Sequence, residues 1–132
     1  MGQTELLEYC RVSSARKFDS ASSLYRSRKY ADCLFFCHLA LEFALKGKYI
    51  EVKHDLFPLT HDLLGLGLRI GLPLTKQRQK DLAIINTFNI AARYDDYKYT
   101  FYKKATRVYA RKYYQTTRAL LIWLKEYTTR EK

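Results

Sequence analysis

A chain of 132 residues with 24 Lys and Arg against 13 Asp and Glu, formal net charge +11, has room for one domain with a core and not for two, so a single domain over residues 1–132 is expected. With 48% hydrophobic and 28% charged residues, a disordered chain is excluded despite the charge. No charged-then-apolar leader and no unbroken apolar run of about 18 residues occurs, so no membrane association is expected and the cytoplasm is the expected location.

In chain order, apolar or small residues recur at Leu7, Cys10, Ser14, Phe18, Ala21 and Tyr25. That three-and-four spacing predicts a first amphipathic helix from Thr4 to about Arg26. The next stretch, from about Lys29 to Glu51, is apolar on nearly every side and predicts a helix at the centre of a bundle. A break at Pro58 is followed by a short helix with Thr60 as its expected N-cap and Asp62 in its first turn, ending at Gly71-Leu72-Pro73.

A fourth helix is expected from after Thr75 to about Ala92, burying Leu82, Ile85 and Phe88 or Asn89. A fifth is expected over Tyr99–Tyr127, with Tyr102, Ala105, Tyr109, Tyr113, Thr116, Leu120, Trp123 and Tyr127 along one stripe. No strand pattern competes. The predicted fold is all-α, an up-and-down bundle of four long helices plus one short helix.

The charge is unevenly placed: residues 1–66 hold nine Lys and Arg against eight acids, and residues 67–132 hold fifteen against five. Such asymmetry points to a polyanion, either nucleic acid or an acidic protein surface, or simply to a solvated basic face. On the predicted last helix Lys104, Arg107, Arg111 and Arg118 fall close together, opposite the tyrosine stripe. A cationic row of this kind suits phosphates, each contact releasing a condensed counterion. Tyr94, Tyr97, Tyr99 and Tyr102 crowd together, as befits a subunit interface or a ligand-facing rim.

Other chemistry is sparse. Cys10, Cys33 and Cys37, an odd number without C-x-x-C spacing, read as reduced core thiols. His38, His54 and His61 lack a second ligand at helical spacing, so no metal is expected, and His38 reads as a hydrogen-bonded core residue. Glu42 and Lys46, four apart on the most apolar helix, are costly unless paired with each other, with another helix or with Arg93. Glycine-rich phosphate loops, serine elbows and paired-carboxylate patterns are all missing, and no cofactor is called for.

Three segments in order, residues 30–51 around His38-Leu39-Ala40-Leu41-Glu42 and Ala44-Leu45-Lys46, then Thr60-His61-Asp62-Leu63, then Ala92-Arg93-Tyr94, resemble the HEPN family (higher eukaryotes and prokaryotes nucleotide-binding domain) over about residues 5–127. The resemblance implies an all-helical bundle, commonly a homodimer, often paired with a small nucleotidyltransferase as toxin and antitoxin. Many members are metal-independent ribonucleases whose motif is an arginine, a polar residue and a histidine within four to six positions, two motifs meeting across the dimer.

Arg93 matches the arginine, but positions 94–100 read Tyr-Asp-Asp-Tyr-Lys-Tyr-Thr and contain no histidine. Catalytic candidates are therefore reduced to Arg93, Asp96 (with Asp95) and Lys98, and a lysine near its ordinary pKa of about 10.4 is a poor base at neutral pH. The implied role is RNA or nucleotide binding through Arg93, Lys98, Lys104, Arg107 and Arg111, beside a nucleotidyltransferase partner. A ribonuclease using altered residues around Arg93, or a purely structural protein-binding module, are the alternative readings.

Overall fold

A computed structural model describes residues 2–127 of the chain. Seven helices occur among them: α1 (Gln3–Arg26), α2 (Tyr30–Lys53), α3 (Leu63–Ile70), α4 (Lys76–Asn86), α5 (Phe88–Arg93), α6 (Thr100–Lys104) and α7 (Arg107–Glu126). No strand is present among the described residues. The all-α bundle is as the periodicity predicts, and the two helix breaks are its departures.

α2 is the central rod because its sequence is apolar on nearly every side: Leu34, Leu41, Leu45 and Ile50 are buried along with Cys33, Cys37 and Ala40. α1 folds back on it, burying Cys10, Ser14 and Ala21 of the expected stripe. The Ser14 hydroxyl donates to the Ala40 carbonyl at 2.8 Å, which satisfies it inside the interface. At Gly47 an added Cβ would lie 3.2 Å from the Cβ of Cys10, so the missing side chain lets the two helices approach. All three cysteines are free and buried, as expected of core thiols.

On the other flank α4 and α5 run together as one kinked rod. Arg78, early in α4, sits over Trp123 near the end of α7, while Phe88 meets Tyr109 and Tyr113 near its start. α4–α5 is therefore antiparallel to α7, and the four rods alternate in direction. The kink falls at Thr87, whose N–H and hydroxyl both return to the Ile84 carbonyl, at 3.0 and 2.6 Å. Back-bonding by a threonine hydroxyl competes with the helical ladder, and this is why one expected helix becomes two.

The second break lies at Ala105 and Thr106. Ala105 leaves helical geometry (φ −78°, ψ 65°), and the Thr106 side chain caps α7 by accepting from the Tyr109 N–H at 3.2 Å. The continuous helix expected over Tyr99–Tyr127 is thus α6 and α7. Tyr102 leaves the buried stripe and is exposed, whereas Ala105, Tyr113 and Leu120 stay buried.

α3 also starts later than expected. Its N-cap is Asp62, and the Thr60 hydroxyl instead accepts from the Asp62 N–H at 3.1 Å, a turn one step upstream. It ends where the sequence predicts, at Gly71, whose φ of 86° suits glycine.

Candidate nucleic-acid interface

The segment from Arg93 to Arg111 gathers nearly all the residues singled out by charge and aromatic content. Arg93 ends α5, and the turn that follows is built on two carboxylates. Asp95 accepts from the N–H groups of Asp96, Phe101 and Tyr102 at 3.0, 2.9 and 2.9 Å. Asp96 accepts from the N–H groups of Lys98 and Thr100 at 3.1 and 3.0 Å, and from the Thr100 hydroxyl at 2.7 Å. Together they cap α6, whose first N–H groups have no partner within the helix.

This clasp bears on the catalytic candidates. The N–H and hydroxyl of Thr100, then the Lys98 N–H and the charge of Lys103, hold the Asp96 carboxyl below its ordinary value of 3.8. A carboxylate with a lowered pKa and three hydrogen bonds already accepted is a weaker proton acceptor. Asp96 is a cap here, and so is Asp95. The turn also holds Tyr99 in the left-handed region, φ 55° and ψ 45°, a conformation that a non-glycine residue keeps only under constraint.

Around this clasp the side chains point to solvent. Tyr94, Tyr97, Tyr99 and Tyr102 are 66, 86, 61 and 68% exposed, while Phe101 between them is buried against Phe88 at 5.7 Å. The Arg93 guanidinium lies 5.5 Å from the Tyr94 ring, and Lys98 Nζ lies 5.8 Å from the Tyr97 ring. Tyr99 and Tyr102 meet edge to face at 6.5 Å. Lys103, Lys104, Arg107 and Arg111 are exposed, and Lys104 Nζ sits 5.4 Å from the Tyr109 ring.

Among the described residues none of these cations forms an ion pair. Since Lys104 closes α6 and Arg107 opens α7, the expected cationic row is bent at Thr106. Arg111 and Lys112 continue it along a shallow groove on α7 with Gln115 and Ala119.

The second constellation was legible in part: the Glu42–Lys46 pair is as expected, and the residue that completes it is His61. Glu42, buried on α2, receives Lys46 Nζ at 2.7 Å and, from the loop before α3, His61 Nδ1 at 3.0 Å from both carboxylate oxygens. Behind them His38 is fully buried, and its Nε2 donates to the His61 carbonyl at 3.2 Å. Burial pushes His38 below its ordinary value of 6.5, against the opposing pull of Glu42 and the His61 carbonyl.

The Glu42–Lys46 pair is thus closed by His61 and not by Arg93. Nineteen residues separate His61 from Glu42, so no local spacing announces their contact. What the sequence did carry was the appearance of Glu42, Lys46 and His61 inside the family-like segments. Among the described residues no group of His, Cys, Asp or Glu is arranged to hold a metal ion, and no helix is long and apolar enough to cross a membrane.

A bundle of alternating helices with an arginine-tyrosine turn between its last two rods defines the class of protein. The HEPN domain family model matches residues 7–127, and the chain belongs to the HEPN family. No curated protein matches it. Among solved structures it is similar to the crystal structure of TT1696 from Thermus thermophilus, at 18% identity and a TM-score of 0.75, covering 94% of this chain and 96% of that one. At that identity the likeness is one of fold.

Proposed function

We propose that this HEPN-family protein binds RNA through the cationic segment from Arg93 to Arg111, without cutting it by the family's arginine-histidine chemistry. The observation that carries the reading is the ion-pairing pattern. Arg93, Lys98, Lys104, Arg107 and Arg111 stand without acidic partners among the described residues, while the two nearby aspartates are spent on backbone N–H groups. Two aspartates only partly offset the cations of the segment, and the net positive field they leave along one edge attracts a polyanion. Positions 94–100 offer no histidine, and Asp96 is a capping group with its proton affinity lowered.

In this reading the protein works in the cytoplasm as a homodimer, beside a minimal nucleotidyltransferase in a pair of toxin-antitoxin type. Family membership supports that part, and co-purification with the product of a neighbouring gene tests it.

RNA binding is tested by fluorescence anisotropy with labelled RNA at several salt concentrations. Five phosphate contacts to a single strand give a log-log slope of about −3.5. Replacing Lys104, Arg107 and Arg111 by alanine reduces its magnitude by about 2. An affinity that ignores salt, or a slope the triple variant leaves unchanged, refutes the reading.

A further inference from the structure

Between α1 and α7, with α2 as its floor, lies an opening that shares no residue with the Arg93–Arg111 segment. We propose that it binds a small amphipathic anion, an unbranched alkyl carboxylate whose tail lies inside the bundle and whose head sits among cations at the mouth.

The opening has a volume of about 840 Å³, within the roughly 300–1,000 Å³ of small-molecule sites. Its apolar walls are Ala15 and Phe18 of α1, Phe43 and Ala44 of α2, and Leu121 and Leu124 of α7. One end is closed by a stack of three rings. Tyr114 of α7 lies nearly parallel between Phe18 and Tyr25 of α1, at 5.1 and 5.2 Å, and its hydroxyl meets that of Ser22 at 2.6 Å. Phe18 belongs to both the stack and the wall, so a chain lying in the opening ends against its ring.

The other end is charged. Lys48 is buried on α2, and its ammonium donates to the Glu51 carboxylate at 3.1 Å and to the Tyr127 carbonyl at 2.8 Å. Arg11 draws on the same Glu51 oxygen at 3.5 Å, so two cations share one carboxylate. Lys125 stands at the mouth without an ion pair among the described residues. Against these three cations the lining has two acids, Glu51 and the exposed Glu8, which leaves one positive charge.

A buried ammonium that shares its carboxylate gains from a second anion brought beside it. One negative head therefore fits the mouth, and an alkyl tail fits the walls. From Arg11 to Phe18 the helix rises about 10 Å, which sets the reach of the tail. A partner's helix, about 10 Å across, lies along a groove open at both ends, and the ring stack bars that.

The experiment is calorimetric titration of the full chain with hexanoate, octanoate, decanoate and decyltrimethylammonium, with sedimentation of the same samples. Wild type is compared with Ala15→Trp, Val12→Phe and Lys125→Glu. Expected is one decanoate per chain, a negative heat-capacity change, and affinity that rises about three- to fourfold per methylene from hexanoate to octanoate. Ala15 and Val12 are exposed positions on α1, so filling the opening from there keeps the fold, and each filling variant weakens decanoate by about tenfold or more. Lys125→Glu weakens decanoate and spares the ammonium compound. No binding of decanoate, an affinity that both filling variants leave untouched, or equal affinity for the ammonium compound overturns the site. A wild-type dimer that Ala15→Trp dissociates, with no decanoate bound, gives the opening to a second copy and overturns it as well.

Discussion

Glu42 and Asp96 are both carboxylates ringed by donors, and the two regions they organise use them in opposite ways. Glu42 lies inside the bundle, and its donors are themselves basic side chains, Lys46 and His61. Charge is balanced within the cluster, and what the cluster gains is attachment of the loop before α3 to the central helix. Asp96 lies in the open, and its donors are the N–H groups and hydroxyl of its own turn. Lys103 lends it some charge, while Lys98, Lys104, Arg107 and Arg111 form no ion pair among the described residues. A carboxylate satisfied by side-chain cations closes a structure; one satisfied by backbone leaves the neighbouring cations available.

This contrast is broken most directly at Glu42. Replacing it by alanine strands Lys46 in a site where both side chains are nearly buried, and is expected to cost about 3 kcal/mol in urea unfolding while leaving RNA affinity unchanged. A loss under about 1 kcal/mol would mean that Lys46 finds water easily and that the cluster holds little. Asp95→Ala removes acceptors for three N–H groups and is expected to cost about 1.5 kcal/mol, with hydrogen exchange accelerating at Phe101 and Tyr102.

A smaller effect is that of pH on the buried cluster. His38 binds its proton less readily folded than unfolded, so the unfolded chain takes up more protons as pH falls through 6.5. Its contribution is complete above that value and is lost progressively below it, down to the lowered folded pKa. Stability measured at pH 7.5 and 5.5 should fall between the two, and fall less in His38→Gln. Thr106→Ala should remove the cap of α7 at a cost of about 1 kcal/mol. Least of all, Arg93→Ala and Lys98→Ala should leave stability within about 0.5 kcal/mol, since both side chains are exposed, while each weakens RNA binding.

The bundle was legible because burial follows the three-and-four spacing: Cys10, Ser14 and Ala21 on α1, and Leu82, Ile85 and Phe88 across α4 and α5, are all buried. The breaks were not, because that spacing continues straight through Thr87 and Thr106. Either threonine is compatible with a helix interior; only its hydroxyl partner in the folded chain decides otherwise. The Arg93 segment was visible as composition, its charges and tyrosines crowded in sequence. Its geometry was not, since the aspartates that suggested proton transfer by type turn out to be caps by position. The Glu42–Lys46 pair was legible from its four-residue spacing; what local pattern hid was His61, brought to it by the return of the chain after Pro58.

The measurement that bears most directly on the central claim is a single gel. Labelled single-stranded RNA is incubated in EDTA with wild type and with Arg93→Ala. Retarded, intact RNA with the wild type and weaker retardation with Arg93→Ala is the expected result. RNA cut by the wild type and spared by Arg93→Ala would contradict the account and return Arg93 to catalysis; RNA neither cut nor retarded would take the cationic segment away from nucleic acid.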